Sequence, residues 1–269
     1  ADFVGDSLEL SFKAKETNAD VILFCGVKFM AETAKIISPD KTVIMPDPDA
    51  GCPMACMITA QDVISLKEKY PNHEVVCYVN STADVKAESD ICCTSSNAVK
   101  VVESISKNKG IIFIPDVNLG TYVKNKLKRE NFILWPGYCL VHAFVTAEEV
   151  MELKKKHPLA SVIVHPECKI EVIELADHIL STSGMVRKIA ELKDKEFIVV
   201  TEQGIVYPLK NRYPDRKFYY LSKMTCVNMK KNTIEMVEES LENMRYEIKV
   251  KEQIIVKAKK ALDRMLQLK

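Results

Sequence analysis

The sequence predicts an α/β protein of three pseudo-repeated, three-layer αβα units, with parallel sheets arranged around a pseudo-threefold axis. Three observations carry that expectation. Short apolar runs alternate with helical patterns along the chain, as buried parallel strands and their crossover helices do. Cys52, Cys139 and Cys226 recur every 87 residues, each followed by a short loop, a threonine and an amphipathic stretch. A second recurrence runs in step: Ser7, Ser95 and Thr182 each stand five residues past an aspartate (Asp2, Asp90, Asp177). A fixed period of this kind decides architecture before any single motif does.

The elements follow in order. Behind Ser7, Ser95 and Thr182 lie helical patterns, L-E-L-S-F-K-A, N-A-V-K-V-V-E-S-I and G-M-V-R-K-I-A-E-L. The three hydroxyls are placed as helix N-caps. Next come the strand-like runs V-I-L-F-C-G, I-I-F-I-P-D and F-I-V-V-T-E, then another helix. A third set of runs, T-V-I-M-P, F-I-L-W-P and F-Y-Y-L, leads to the cysteines. Beyond Cys52 and Cys139, Thr59 and Thr146 fit as N-caps of acidic-fronted helices. Breaks at the cysteines give units 53–139 and 140–226, and a composite unit from 1–52 plus 227–269. In open α/β sheets ligands sit at the carboxyl ends of strands. The cysteines and hydroxyls fall there, so one central cavity is expected.

Composition excludes several classes. With 38 basic against 37 acidic residues in 269, there is no electrostatic footprint for nucleic acid or an anionic membrane. No apolar run approaches the roughly 18–20 residues of a membrane span, and no signal peptide opens the chain. Glycine-rich phosphate loops and H-E-x-x-H are absent. Nine cysteines with no C-x-x-C read as reduced, cytoplasmic thiols. Cys25, Cys77, Cys92 and Cys93 lie inside apolar runs and are expected to pack in the core. The start at Ala1 fits a processed or truncated chain.

Cys52, Cys139 and Cys226 differ from those four, because each follows a strand end at a turn. One thiolate per unit on a shared axis could hold a 4Fe–4S cluster by three irons, leaving the fourth open as a Lewis acid. Repeated buried cysteines kept for packing would give the same period, and zinc is a further candidate. Tyr78-Val79-Asn80 and His165-Pro166-Glu167 stand at equal offsets from Cys52 and Cys139. Read as strands, they project Tyr78 with Asn80, and His165 with Glu167, on one face. A His–Glu pair suits general acid–base work, and a phenol can donate to an oxyanion. Each could also be a solvated or capping group. Ser7, Ser95 and Thr182 could cap helices, bind phosphate or carboxylate there, or do both. Cys168 is read as core packing, and the stretch from about Ile254 to Leu268 as a packing helix.

G-C-P-M-A (51–55), Y-V-N-S-T (78–82), T-S-S-N-A-V (94–99), H-P-E-C (165–168), S-T-S-G-M (181–185) and C-V-N-M-K-K-N-T (226–233) together resemble the quinolinate synthase family. The resemblance covers essentially the whole chain. It implies a cytoplasmic transferase of NAD biosynthesis that condenses iminoaspartate with dihydroxyacetone phosphate, releasing phosphate and water. It implies Cys52, Cys139 and Cys226 as ligands of a 4Fe–4S cluster, with Tyr78, His165 and Glu167 catalytic. It implies Ser7, Met30, Asn80, Ser95 and Thr182 as substrate contacts, and L-aspartate oxidase or aspartate dehydrogenase as the supplier of iminoaspartate.

There are departures. Cys56 and Tyr138 replace the Asn and His of many members. The family also bears a His-Asn-Tyr strand whose place, by the repeat, falls before Ala1, so a shortened or inactive form is expected. The run R-Y-E-I-K-V (245–250) could partly fill that gap in the sheet. Two rivals remain at this point. One is a diphthamide-biosynthesis-type radical enzyme, which a reductive cleavage assay would separate. The other is a non-catalytic metal sensor, in which Glu167→Gln would change nothing.

Overall fold

The structure, a computed structural model, describes residues 1–268. The chain opens with α1 (Ser7–Glu16), β1 (Val21–Leu23), α2 (Lys28–Ile37) and β2 (Thr42–Ile44). There follow α3 (Ala60–Lys69), β3 (His73–Tyr78), α4 (Ala83–Ala87), β4 (Ile91–Cys93), α5 (Ala98–Ser104), β5 (Gly110–Ile114), α6 (Val117–Leu127) and β6 (Phe132–Leu134). Next are α7 (Leu140–Ala143), α8 (Ala147–Lys156), β7 (Ser161–Val164), α9 (Ile170–Ile173), β8 (His178–Ile179), α10 (Thr182–Glu191), β9 (Glu196–Val200), α11 (Val206–Arg212) and β10 (Lys217–Tyr220). Two helices close the chain, α12 (Ile234–Asn243) and α13 (Glu252–Gln267). The fold is α/β, and every paired strand runs parallel to its neighbours.

Two compact units emerge, one of Ala1–Gly137 with the segment from Val227, the other Tyr138–Cys226. The first holds a four-stranded sheet in the order β4-β3-β5-β6, and the second a sheet in the order β8-β7-β9-β10. Strand for strand these are the same order, so the period seen in the sequence is a period of topology. It reaches individual hydrogen bonds. Asp90 Oδ2 accepts from Val75 N at 2.8 Å, and Asp177 Oδ2 accepts from Val162 N at 2.8 Å. The helices after the cysteines match too. Thr59 and Thr146 each form a reciprocal capping box, with Asp62 and Glu149 three residues on.

Burial explains why these runs are strands. All five residues of β5 are buried, as are the last three of β7. In the second unit Phe197, Val199, Ile163 and Phe218 pack against Met185, Ile189 and Leu209 of the covering helices. Truncating a core aromatic such as Phe197 to Ala would cost about 3–5 kcal/mol.

The first unit also holds a two-stranded parallel sheet, β1-β2. The run Arg245–Val250 pairs with it, Ile44 bridging Glu247 antiparallel. Ile248 N donates to Val43 O at 2.8 Å, while Ile44 O faces β1 and accepts from Phe24 N. The run therefore extends the edge of β2 away from β1, not the β1 edge where the repeat places the gap. Helix α13 buries Ala258, Ala261, Leu262 and Met265, as its amphipathic pattern predicts, and packs on α4 and β4. It covers an edge strand that would otherwise expose unpaired backbone.

Three sequence expectations are corrected. Cys25 is exposed, because β1 ends at Leu23 and Phe24 takes the inward position. Cys77, Cys92 and Cys93 are buried as expected. The helix caps sit one residue earlier than placed: Asp6 caps α1, and Ser181 caps α10 through Gly184 N at 3.2 Å. Ser7 and Thr182 are first helical residues, since a cap needs the extended backbone that Asp6 and Ser181 adopt. Ser95 lies in the turn ahead of Asn97, the residue that precedes α5.

Candidate functional site

In the second unit the sequence brings a cysteine, two histidines and a carboxylate to the carboxyl ends of β7 and β9. Cys139 is the residue before α7, and His142 follows three positions on, so both project from one side of the first turn. His142 Nδ1 lies 3.2 Å from Cys139 Sγ and 2.8 Å from Glu167 Oε2, while its Nε2 is 2.9 Å from Thr201 Oγ1. The assignment that satisfies the strongest contacts puts the proton on Nδ1, donated to the carboxylate, with Nε2 accepting from Thr201. His165 stacks on His142, with ring centroids 4.7 Å apart. Its Nδ1 accepts from Glu167 N at 3.3 Å, which places its own proton on Nε2.

The strand argument for His165 and Glu167 is corrected. β7 ends at Val164, and His165-Pro166-Glu167 is a turn closed by Cys168 N donating to His165 O at 3.0 Å. The turn still brings the two side chains together, with Nδ1 4.0 Å from Oε2. Glu167 is only 3% exposed and His142 6%. A carboxylate so buried needs a hydrogen-bonded partner, which His142 supplies. Cys139, His142 and Glu167 offer ligand atoms all within 4.8 Å of one another, a group that could touch one metal centre. Cys168 is closed in the core, as expected.

Cys226 ends this unit. Its N–H donates to Glu202 Oε1 at 3.3 Å, and Glu202 Oε2 accepts from Gly204 N, tying the cysteine to the loop beyond β9. Thr182 is half-buried at the start of α10.

In the first unit, Cys52 lies in the loop beyond β2. That loop is held where Ala50 O accepts from Lys28 N, and Asp49 O from Lys231 Nζ. Tyr78 is the last residue of β3, and Asn80 lies in the bend just beyond it rather than on the strand. The Asn80 side-chain oxygen is buried and has no hydrogen-bond partner. Ser95 and Ser7 are on neighbouring segments, because Ser96 Oγ donates to Asp6 Oδ2 at 2.8 Å. Met30, on α2, is half-buried against the core of the small sheet. Burial pushes the Cys93 thiol well up and the Lys86 ammonium down, the latter opposed by Glu32 and by the thiols of Cys77, Cys92 and Cys52.

The nine thiols thus fall into two groups beyond the exposed Cys25 and Cys56. Cys77, Cys92, Cys93 and Cys168 are closed in the core, while Cys52, Cys139 and Cys226 are half-buried in loops at or beyond strand ends. A reachable thiolate is a soft donor of the kind that binds iron–sulfur groups.

The family model described as "Quinolinate synthetase A protein" matches residues 1–267. The chain belongs to this family. It is 54% identical over 269 residues to "Quinolinate synthase" of Caldicellulosiruptor saccharolyticus, covering all of this chain and 88% of the relative. To "Quinolinate synthase 2" of Methanosarcina acetivorans it is 56% identical over 267 residues, covering 99% of this chain and 86% of the relative.

Within this quinolinate synthetase A family member, sequence reasoning missed His142, Thr201 and Glu202. His142 was within reach: in C-L-V-H (139–142) its i,i+3 spacing from Cys139 puts both on one helical side. Thr201 and Glu202 carried no such signal, because their partners come from other parts of the unit. No helix among the described residues is long and apolar enough to cross a membrane.

Proposed function

We propose that this chain is a quinolinate synthase, a cytoplasmic transferase of NAD biosynthesis. It would condense iminoaspartate with dihydroxyacetone phosphate to quinolinate, releasing phosphate and two waters. The names of its relatives support the reading. The observation that carries it is the buried Glu167–His142 pair beside Cys139. We read the chain as three units, 1–52 with 227–269, 53–139 and 140–226, each giving one thiolate to a 4Fe–4S cluster through Cys52, Cys139 and Cys226. When bound, that cluster supplies a Lewis-acidic iron with an open position.

The remaining chemistry belongs to the side chains. Forming the ring requires protons to leave carbon and to reach departing hydroxyl groups. Glu167 accepts a proton, and His165, or His142 through its Nδ1, returns one. Tyr78 donates to developing negative charge on oxygen. The unpartnered Asn80 carbonyl receives an N–H or O–H of the substrate, which would relieve its unsatisfied burial. Ser7, Ser95 and Thr182 hold phosphate and carboxylate groups, α1 and α10 adding the partial positive charge of their N-termini. Met30 lines the same substrate site. L-aspartate oxidase or aspartate dehydrogenase would supply iminoaspartate, which hydrolyses readily and so must be made close to its use.

The test is anaerobic reconstitution of wild type and Cys226→Ala, followed by iron and sulfide analysis and a quinolinate assay. Four irons per chain and product formation in the wild type, both sharply reduced in the variant, support the reading. Zinc, or no metal, in both overturns it.

A further inference from the structure

The side chain that packing explains least is Lys86. It lies on α4, in the first unit, with no exposed surface. An ammonium removed from water is strongly disfavoured unless it is hydrogen-bonded and countered, and a methionine would fill the same space without that cost. What surrounds the ammonium shows its use. Nζ donates to Ser81 O at 2.5 Å and lies 5.5 Å from the centre of the Phe29 ring. Ser81 in turn donates from Oγ to Tyr78 O at 2.9 Å. On the far side of the same loop, Glu32 Oε2 accepts from Ala83 N at 3.0 Å. The loop from Tyr78 to Ala83 is therefore held at both ends by polar contacts, and Lys86 grips it at Ser81.

We propose that Lys86 is a positioning residue: by fixing the Ser81 carbonyl it sets the loop that presents Tyr78 and Asn80. The catalytic part rests on the function proposed above, whereas the loop-setting part stands on this geometry alone. Fixed placement matters for Asn80 in particular. Its buried oxygen has no protein partner to hold it, so its direction is set by the backbone that Lys86 restrains. Lys86 touches no substrate and is tied to the site through the loop it holds.

Two variants of the full chain test it. Lys86→Met keeps the shape and removes both donor and charge, and Lys86→Gln keeps a donor and removes the charge. Amide hydrogen exchange and melting temperature are read on both without reconstitution, and kcat and KM after anaerobic reconstitution. For Lys86→Met we expect exchange of the Val79–Ala83 amides to quicken at least tenfold, with β3 and β5 unchanged. We also expect kcat to fall at least tenfold, with Lys86→Gln recovering both to within about threefold of wild type. Unchanged loop exchange in Lys86→Met overturns the proposal. So does exchange raised alike through β3, β4 and β5 with a lowered melting temperature, which marks a role in general stability only. If Lys86→Met does not fold, Lys86→Gln decides: wild-type loop exchange and kcat support the donor role, and general loosening overturns it. Should the wild type make no quinolinate, the activity reading fails and the exchange pattern alone decides the positioning.

Discussion

Glu167 Oε2 and His142 Nδ1 lie 2.8 Å apart in a site where neither side chain is more than 8% exposed. A buried carboxylate with an imidazole on one side is equipped to take a proton and to pass it on. Replacing it by an amide of the same shape keeps the packing and the contact with His142, but removes the basic oxygen. Glu167→Gln should therefore retain its iron content and melting temperature while turnover falls about 10²–10⁴-fold. Steady-state quinolinate formation beside an iron assay checks both halves. A variant that turns over like the wild type would remove Glu167 from the proton path.

The converse change tests the pairing itself. His142→Ala removes the 2.8 Å contact from the enclosed Glu167 carboxyl group. Losing a buried hydrogen bond of this kind costs about 1–3 kcal/mol. Urea denaturation of the unreconstituted chain should show a loss of that order. The double variant His142→Ala with Glu167→Gln should lose less than the two single losses added, because both changes act on the same contact.

The helix caps offer a test in which neighbours should differ. Ser181 Oγ accepts from Gly184 N, and Asp6 Oδ1 accepts from both Leu8 N and Glu9 N at 3.1 Å. Ser181→Ala and Asp6→Ala should each cost about 1 kcal/mol. Thr182→Ala and Ser7→Ala should cost little in stability and weaken the binding of anionic substrate instead. Denaturation midpoints and KM values, measured on all four, separate the two roles. Equal stability losses at positions 181 and 182 would put the cap assignment in error.

The cysteines divide in a similar way. Cys52 is half-buried in its loop, whereas Cys56, four residues on, is exposed. Cys52→Ala should lose most of its iron and sulfide on anaerobic reconstitution, and Cys56→Ala should retain the wild-type content. Treating the wild type with a chelator under oxidising conditions should abolish turnover without unfolding the chain. The core around Phe197 and Val199 is packed from apolar side chains.

What was legible in the sequence was whatever repeats or has a local cause. That the two four-stranded sheets share one strand order follows from the 87-residue period of the cysteines. The capping boxes at Thr59 and Thr146 depend only on residues three apart. Errors arose where one residue of register matters. Asp6 and Ser181 are as capable of capping as the residues after them, and only backbone angles distinguish the two. His165 and Glu167 come together through a turn, where the alternation of a strand is expected. Contacts that join distant segments, such as His142 with Thr201 or Lys86 with the Phe29 ring, leave no trace in spacing.

At Asn80 the folded state carries a defect that binding should repair. Its side-chain oxygen is buried without a partner, a condition that costs about 1–3 kcal/mol. Removing the amide should therefore leave stability unchanged or raise it slightly, the lost packing offsetting the relieved desolvation. A substrate N–H or O–H that depends on this oxygen loses its acceptor in the same variant. Asn80→Ala should melt within about 2 °C of wild type, on the order of 0.5 kcal/mol. Its KM should rise roughly tenfold, which corresponds to one lost hydrogen bond of about 1.4 kcal/mol. A clear drop in melting temperature with unchanged KM would instead make Asn80 a structural residue of the loop, satisfied in solution by water.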